Sequence, residues 1–287
     1  MITTAVYSEA GGTFKTTTVA NTAIALSRQG HNVLVIDLDP QEGSLSYVFD
    51  VADRRSEGQA DNLVLHMIDR PKGDFEDLIR RTEEGIDVLP AHNMLEDLTS
   101  FLDRAAEIEE MSNPDEDEYE RYAQLHRVLS ENNVQNDYDA ILIDPQATAS
   151  DALYNAIYAT RSLVSPVELS GKGKLSLDGL EDLVVNLEDH LDIGVGVVAV
   201  VPGNVGQTRA NKRYQEELEE QQWSVPVMIG ERESLMNEMW DAQGSAFKVV
   251  EDGYVDGVPG ERRDREHEQA TLDQYETLAE HLITEFE

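Results

Sequence analysis

Short apolar runs alternate with stretches of helical periodicity from one end of the chain to the other. The runs Ile2–Tyr7, Asn32–Asp37, Ile86–Leu89, Tyr138–Asp144, Ser162–Pro166, Gly194–Val201 and Val225–Ile229 predict strands. Several are continuous Val, Ile and Leu without polar alternation, the pattern of strands buried on both faces. Between them, Val19–Arg28, Met94–Glu107, Glu118–Leu129, Ala152–Tyr158, Ser176–His190, Gln207–Glu220 and Gln269–Phe286 predict helices. Repeated strand–helix units imply right-handed crossovers. The expected fold is therefore α/β: a doubly wound, mostly parallel sheet with helices on both faces. No repeat and no linker rich in Pro, Gly or Ser interrupts the pattern, so residues 1–287 are expected to form a single domain. Its most elaborated part is an acidic helical segment at about 105–136, where Met111–Tyr122 reads as a solvated loop leading into a helix. Ligands of doubly wound sheets bind outside the carboxyl ends of the strands. That rule gathers the loops after Tyr7, Asp37, Ile143 and Val201 at one edge.

The loop after the first strand carries the most specific chemistry. Ser8-Glu9-Ala10-Gly11-Gly12-Thr13-Phe14-Lys15-Thr16-Thr17-Thr18 joins a buried strand to a helix start. A tight Gly-rich turn there aims backbone N–H groups and the positive end of the helix at one point, which makes an anion site. A lysine and threonines at its end suit phosphate. The strict pattern Gly-x-x-x-x-Gly-Lys-[Ser/Thr] is not met, because Glu9 and Phe14 occupy both glycine positions.

Two further strand ends carry carboxylates. Val35-Ile36-Asp37-Leu38-Asp39-Pro40 places Asp37 and Asp39 two apart, on one side while the strand continues, and Pro40 then stops pairing and leaves Asp39 at the mouth. Ile141-Leu142-Ile143-Asp144-Pro145 ends in the same way. An aspartate there can hold a Mg²⁺ ion that bridges phosphate oxygens, with the Thr16 hydroxyl on the same ion. Each aspartate alone is equally a turn or cap residue. Three such sites at the ends of three buried strands favour the metal and nucleotide reading.

Composition changes the picture in one respect. The formal charge is −36, from 58 acidic and 22 basic residues, only six of them lysine. Apolar residues make up 40% of the chain and fall in regular periodic runs, which argues against disorder. Such an acidic surface suits a cytoplasm of molar salt, where a screening length of about 3 Å suppresses self-repulsion, and points to a halophile such as a haloarchaeon. Without cysteine there are no disulfides and no thiolate metal sites. No signal-like N-terminus and no membrane-length apolar run is visible, so a cytoplasmic location is expected.

Taken together the motifs resemble those of the ParA/MinD/Soj family of P-loop NTPases. Ala10-Gly11-Gly12-Thr13-Phe14-Lys15-Thr16-Thr17-Thr18 resembles the deviant Walker A loop, Lys-Gly-Gly-x-Gly-Lys-Thr-Thr. Val33–Gln41 looks like that family's switch region, and Tyr138–Pro145 like its Walker B strand. Val88–Ala91 and Arg161–Val167 fall where such proteins have similar segments, and Asp-Leu-Asp-Pro-Gln with Thr-Thr-Thr is closer to ParA-like partition ATPases than to MinD. The resemblance implies an ATPase that closes into a homodimer on ATP and Mg²⁺, binds DNA non-specifically, and is stimulated by a ParB-like or other adaptor. It implies that Lys15 contacts the β- and γ-phosphates and serves catalysis, and that Thr16 ligates Mg²⁺. By the same correspondence Thr17 bonds phosphate, Asp39 orients the attacking water beside the metal, and Asp144 holds the metal's water shell. Gly11, Gly12, Thr13 and Phe14 would wrap the nucleotide.

Two departures bear on rate. The family's signature lysine, which reaches the partner's phosphates, is replaced by Ala10, and losing one transition-state cation implies slow hydrolysis. Phe14 stands where the family has glycine, at a position that asks for positive φ. A modest opening of the loop could place its ring against a partner subunit.

Few cations are available for DNA. Arg209, Lys212 and Arg213 share a helix face at i, i+3 and i+4 and are the candidate DNA contacts; Lys172 with Lys174 and Arg262 with Arg263 and Arg265 form other clusters. Pairing with nearby acids such as Glu216 or Glu217 competes with that role. With roughly four phosphate contacts, raising salt from about 0.15 M to about 3 M costs four to five decades of affinity. The C-terminal helix is amphipathic, but Glu276, Glu280 and Glu285 on its polar face would repel anionic headgroups, so it is expected to dock on the core rather than on a membrane.

Overall fold

In the computed structural model, described for residues 1–8, 14–112, 119–168, 179–203, 205, 213, 223–254, 258, 260 and 266–287, seven strands form one sheet. They are β1 (Ile2–Val6), β2 (Val33–Leu38), β3 (Arg80–Arg81), β4 (Asp87–Leu89), β5 (Ala140–Pro145), β6 (Ser162–Glu168) and β7 (Gly196–Gly203). The order is β3-β4-β2-β5-β1-β6-β7, parallel throughout except for the antiparallel β3–β4 pair at one edge.

The side-chain period of two divides each strand between two cores. Val33 and Val35 with Ala140 and Leu142 face one core; Leu34, Ile36 and Leu38 with Ile141 and Ile143 face the other. The first core is roofed by α1 (Lys15–Arg28), α2 (Leu45–Val48), α8 (Glu233–Ala242), α9 (Ala246–Asp252) and α10 (Glu266–Phe286). The second is covered by α3 (Leu63–Met67), α4 (Leu98–Ser112), α5 (Gln124–Glu131), α6 (Asp151–Thr160) and α7 (Leu180–Leu191). This is the doubly wound, mostly parallel α/β fold expected from the repeating pattern. In α10, Leu272, Tyr275, Leu278, Ala279 and Leu282 are buried against the core, as the acidic opposite face had suggested.

Several element boundaries differ from the sequence reading. Val225–Ile229 forms no strand: Pro226 lacks the N–H a ladder needs, and beside β7 the segment's described bonds are Ile229 N to Pro202 O (2.7 Å) and Val205 N to Ile229 O (3.1 Å). The edge strand Arg80–Arg81 is two residues long and has no periodicity to read. Helix α4 is preceded by a 3₁₀ turn at Asn93–Asp97, where His92 Nδ1 accepts the Met94 N–H at 3.1 Å.

Helix α5 begins at Gln124 rather than near Glu118, because the residues before it serve a tertiary contact. Arg121 makes a bidentate pair with Asp151 (both contacts 3.1 Å) and reaches Asp103 at 2.9 Å. Asn155 of α6 donates to Arg121 O and accepts from Leu125 N. The end of the acidic segment is thus tied to α6 rather than solvated. Its residues 113–118 lie outside the described residues, as do the C-terminal positions Arg209, Lys212, Arg262, Arg263 and Arg265.

Candidate functional site

Glu9 to Thr13, including Ala10, Gly11, Gly12 and Thr13, lie outside the described residues; Phe14 begins the described part of the loop. Its backbone is left-handed (φ 34°, ψ 32°). The conformation that the family's glycine would allow is therefore adopted here by a phenylalanine. Its carbonyl accepts from Thr17 Oγ1 (2.7 Å), Thr18 Oγ1 (2.9 Å) and Thr18 N (2.9 Å), so two of the three threonines begin α1 by closing onto residue 14. The ring lies over Gly203 at the end of β7, packed against the first core.

The third threonine faces the other way: Thr16 Oγ1 donates to Asp144 Oδ2 at 2.8 Å. Asp144 is buried at the end of β5, directly in register with Asp37 on β2. Two carboxylates on adjacent strands in a dry environment cannot both ionise freely. Burial and the neighbouring Asp37 charge push the Asp144 carboxyl up to about 8, with Asp39 adding to the effect and Thr16 and Lys15 opposing it. Burial raises Asp37 as well, but that carboxylate has four donors: Ser46 Oγ (2.5 Å), Ser44 Oγ (2.6 Å), Ser46 N (2.7 Å) and Asp39 N (3.0 Å). Donors favour the charged form, so these four bonds oppose the rise that burial causes at Asp37.

Lys15 is also largely buried. Burial lowers its ammonium, while the carboxylates of Asp144 and Asp39 raise it. Asp37 and Asp39 do not share a surrounding, because β2 ends at Leu38. Asp37 is fully buried and organises the loop, whereas Asp39 lies partly exposed beyond the strand, with Oδ1 accepting from Gln41 N (2.9 Å).

Strand ends β1, β2, β5 and β7 therefore converge on one point. The structure brings together Phe14, Lys15, Thr16, Thr17, Asp39 and Asp144. Of the candidate DNA contacts only Arg213 is described, and it is exposed. The sequence reading missed Ser44 and Ser46, the donors that hold Asp37, and Gly203, the floor beneath Phe14. Ser44 and Ser46 follow the Asp-x-Asp run closely enough to have been candidates; Gly203 carries no local signal at all.

Chemically, the arrangement is a buried cation and a hydroxyl beside a carboxyl, at the start of a helix. Among the described residues no group of three or more His, Asp or Glu could hold a metal ion alone. That fits Mg²⁺, which keeps several waters and usually takes one or two protein oxygens together with phosphate oxygens. Fold and site define a P-loop nucleotide-binding protein. A family model described as an AAA domain matches residues 1–192, and the chain belongs to that family, within the ParA/MinD superfamily of ATPases.

Three comparisons give its neighbourhood. The maintenance of carboxysome distribution protein A of Synechococcus elongatus is 27% identical over 77% of this chain and 81% of its own. A putative plasmid partition protein of Borrelia burgdorferi bound to AMPPNP shares the fold, with TM-score 0.71, 19% identity and 99% of each chain covered. So does the septum site-determining protein MinD of Pyrococcus horikoshii complexed with Mg-ADP, with TM-score 0.67, 19% identity, and 97% and 94% covered. Relatives of this chain include a chromosome-partitioning ATPase, Soj of Thermus thermophilus, 28% identical over 64% of this chain and 61% of its own. Among the described residues no helix is long and apolar enough to cross a membrane.

Proposed function

We propose that this protein binds ATP with Mg²⁺, closes two copies together on the nucleotide, and acts in segregating plasmid or chromosome DNA through a cargo-bound, ParB-like adaptor. The observation that carries the nucleotide reading is the Thr16 Oγ1–Asp144 Oδ2 contact of 2.8 Å beside the buried Lys15. Thr16 would hold Mg²⁺ directly, Asp144 would hold its water shell, and Lys15 would meet the β- and γ-phosphates. When bound, the ion would neutralise negative charge that develops on the phosphates during transfer. Asp39, partly exposed at the rim, would orient the attacking water near that metal. Hydrolysis to ADP and phosphate is slow in this reading, because Ala10 supplies no cation to the partner's site. A protein that uses ATP as a dimerisation switch, with little or no turnover, is the limiting case.

The test is ATP binding, dimerisation and turnover measured together in molar KCl. Lys15→Ala should weaken binding by at least about tenfold, the loss of one charge-assisted contact, and binding as tight as the parent's would remove the assignment. Ala10→Lys should accelerate turnover.

A second reading, positioning of cargo other than DNA, is favoured by the similarity to the carboxysome distribution protein, which spans most of both chains. DNA retention on filters across a salt series, with and without ATP, separates the two. No ATP-dependent retention at any salt would leave the second reading standing.

A further inference from the structure

The segment from Asp39 to Ser44 joins β2 to α2 and is held from two sides. From within the sheet, Asp37 takes the N–H of Asp39, the hydroxyl of Ser44, and both the hydroxyl and the N–H of Ser46. From the other side it is held by the end of α8. Trp240 Nε1 donates to Gly43 O at 3.2 Å; just past the helix, Gln243 Nε2 reaches α2 and the residues after it, donating to Tyr47 O at 3.1 Å and to Asp50 Oδ1 at 3.3 Å. Gly43 has φ +79°, and a Cβ there would stand 3.7 Å from Trp240 Nε1, so the carbonyl is offered by a conformation few other residues take without strain.

The indole body is anchored in the first core, while its single polar atom reaches the loop. Residues 233–243 also lie outside the 1–192 stretch that the family model matches. A helix from the C-terminal part of the chain thus grips the loop that carries Asp39.

We propose that Trp240 is a positioning residue: its indole N–H fixes the Gly43 carbonyl and thereby sets the orientation of the Asp39 loop, so that the C-terminal helices govern how that loop responds to nucleotide. The proposal rests on the reading of Asp39 as the residue that orients water. Trp240→Phe keeps a ring in the core and removes only the donor.

Hydrogen exchange on the nucleotide-free protein tests the latch without any assumption about activity. Amides between Gln41 and Tyr47 should exchange about fivefold faster, the effect of one lost hydrogen bond, with α9 and α10 unchanged. Unchanged exchange in the loop, or a rise spread equally over α8, α9 and α10, overturns the proposal. In turnover assays the same variant should lower kcat several-fold with KM unchanged, whereas equal kcat and KM in parent and variant would overturn it. If the parent binds no nucleotide, the ATPase reading fails by itself and the exchange result still decides the latch.

Discussion

The ring of Phe14 occupies the volume that a side chain at Gly203 would need: a Cβ built there would lie 1.9 Å from Cζ and 2.1 Å from Cε1 of that ring. Residue 14 has lost its glycine and residue 203 has none but hydrogen to offer, so the bulk added to the phosphate loop is absorbed by the end of β7. Gly203→Ala is expected to destabilise the protein by about 1–3 kcal/mol through overpacking. Combining it with Phe14→Gly should recover part of that loss, because the clash disappears along with a left-handed backbone that costs a non-glycine residue about 1 kcal/mol. Urea unfolding of the two single variants and the double variant measures this. Strict additivity would mean that the ring does not fill that space.

Asp144 makes the nucleotide-free protein sensitive to pH. Its carboxyl is raised to about 8 by burial and by Asp37, so between about pH 4 and pH 8 the folded state holds a proton that the unfolded state has released. Stability from this group is therefore fully present below the unfolded pKa and declines as pH rises towards 8. The parent's urea midpoint should fall across that window relative to Asp144→Asn, which has no such proton to lose. Parallel profiles for the two proteins would contradict the assignment.

Asp37 is expected to matter for stability more than its neighbour. Removing it with Asp37→Ala leaves the Ser44 and Ser46 hydroxyls and two backbone N–H groups without their acceptor. A loss of about 2–4 kcal/mol follows from those buried, unsatisfied donors. Asp39→Ala, which at a partly exposed position breaks the bond from Gln41 N, should change the unfolding midpoint little while affecting turnover. Equal destabilisation by the two changes would argue against this division of roles.

The Arg121–Asp151 pair anchors the elaborated segment onto α6. Arg121→Ala is expected to cost about 1–3 kcal/mol, the range for hydrogen bonds to charged groups with one buried partner. Limited proteolysis should then cut first near residues 113–123. Cleavage unchanged in site and rate would show that the pair does not hold the segment.

Much of the fold was legible because burial on both faces of a parallel sheet writes itself into consecutive residues. Leu34 and Ile36 serve one core while Val33 and Val35 serve the other, so consecutive positions along the strand are apolar. The strand ends were legible for the complementary reason: a polar residue that closes an apolar run, as Asp37 and Asp144 do, marks where the sheet stops. Pro40 was enough to set Asp39 at the strand mouth, but that Asp37 would be held by Ser44 and Ser46 was not legible, because those contacts form only when the following loop folds back. Val225–Ile229 reads as a strand on its apolar run alone, although Pro226 within it already argues against a ladder.

By itself, then, the sequence determined the doubly wound sheet, the edge at which its loops gather, and the identities of Lys15, Thr16, Asp39 and Asp144 as candidates for one site. All of these follow from short-range pattern and from the topology that repeated strand–helix units impose. Tertiary structure alone decided that Asp37 and Asp144 lie buried side by side, where the Phe14 ring goes, and that Trp240 reaches the loop at Gly43. Those outcomes depend on groups as many as 197 residues apart, and only packing brings such groups within reach of one another.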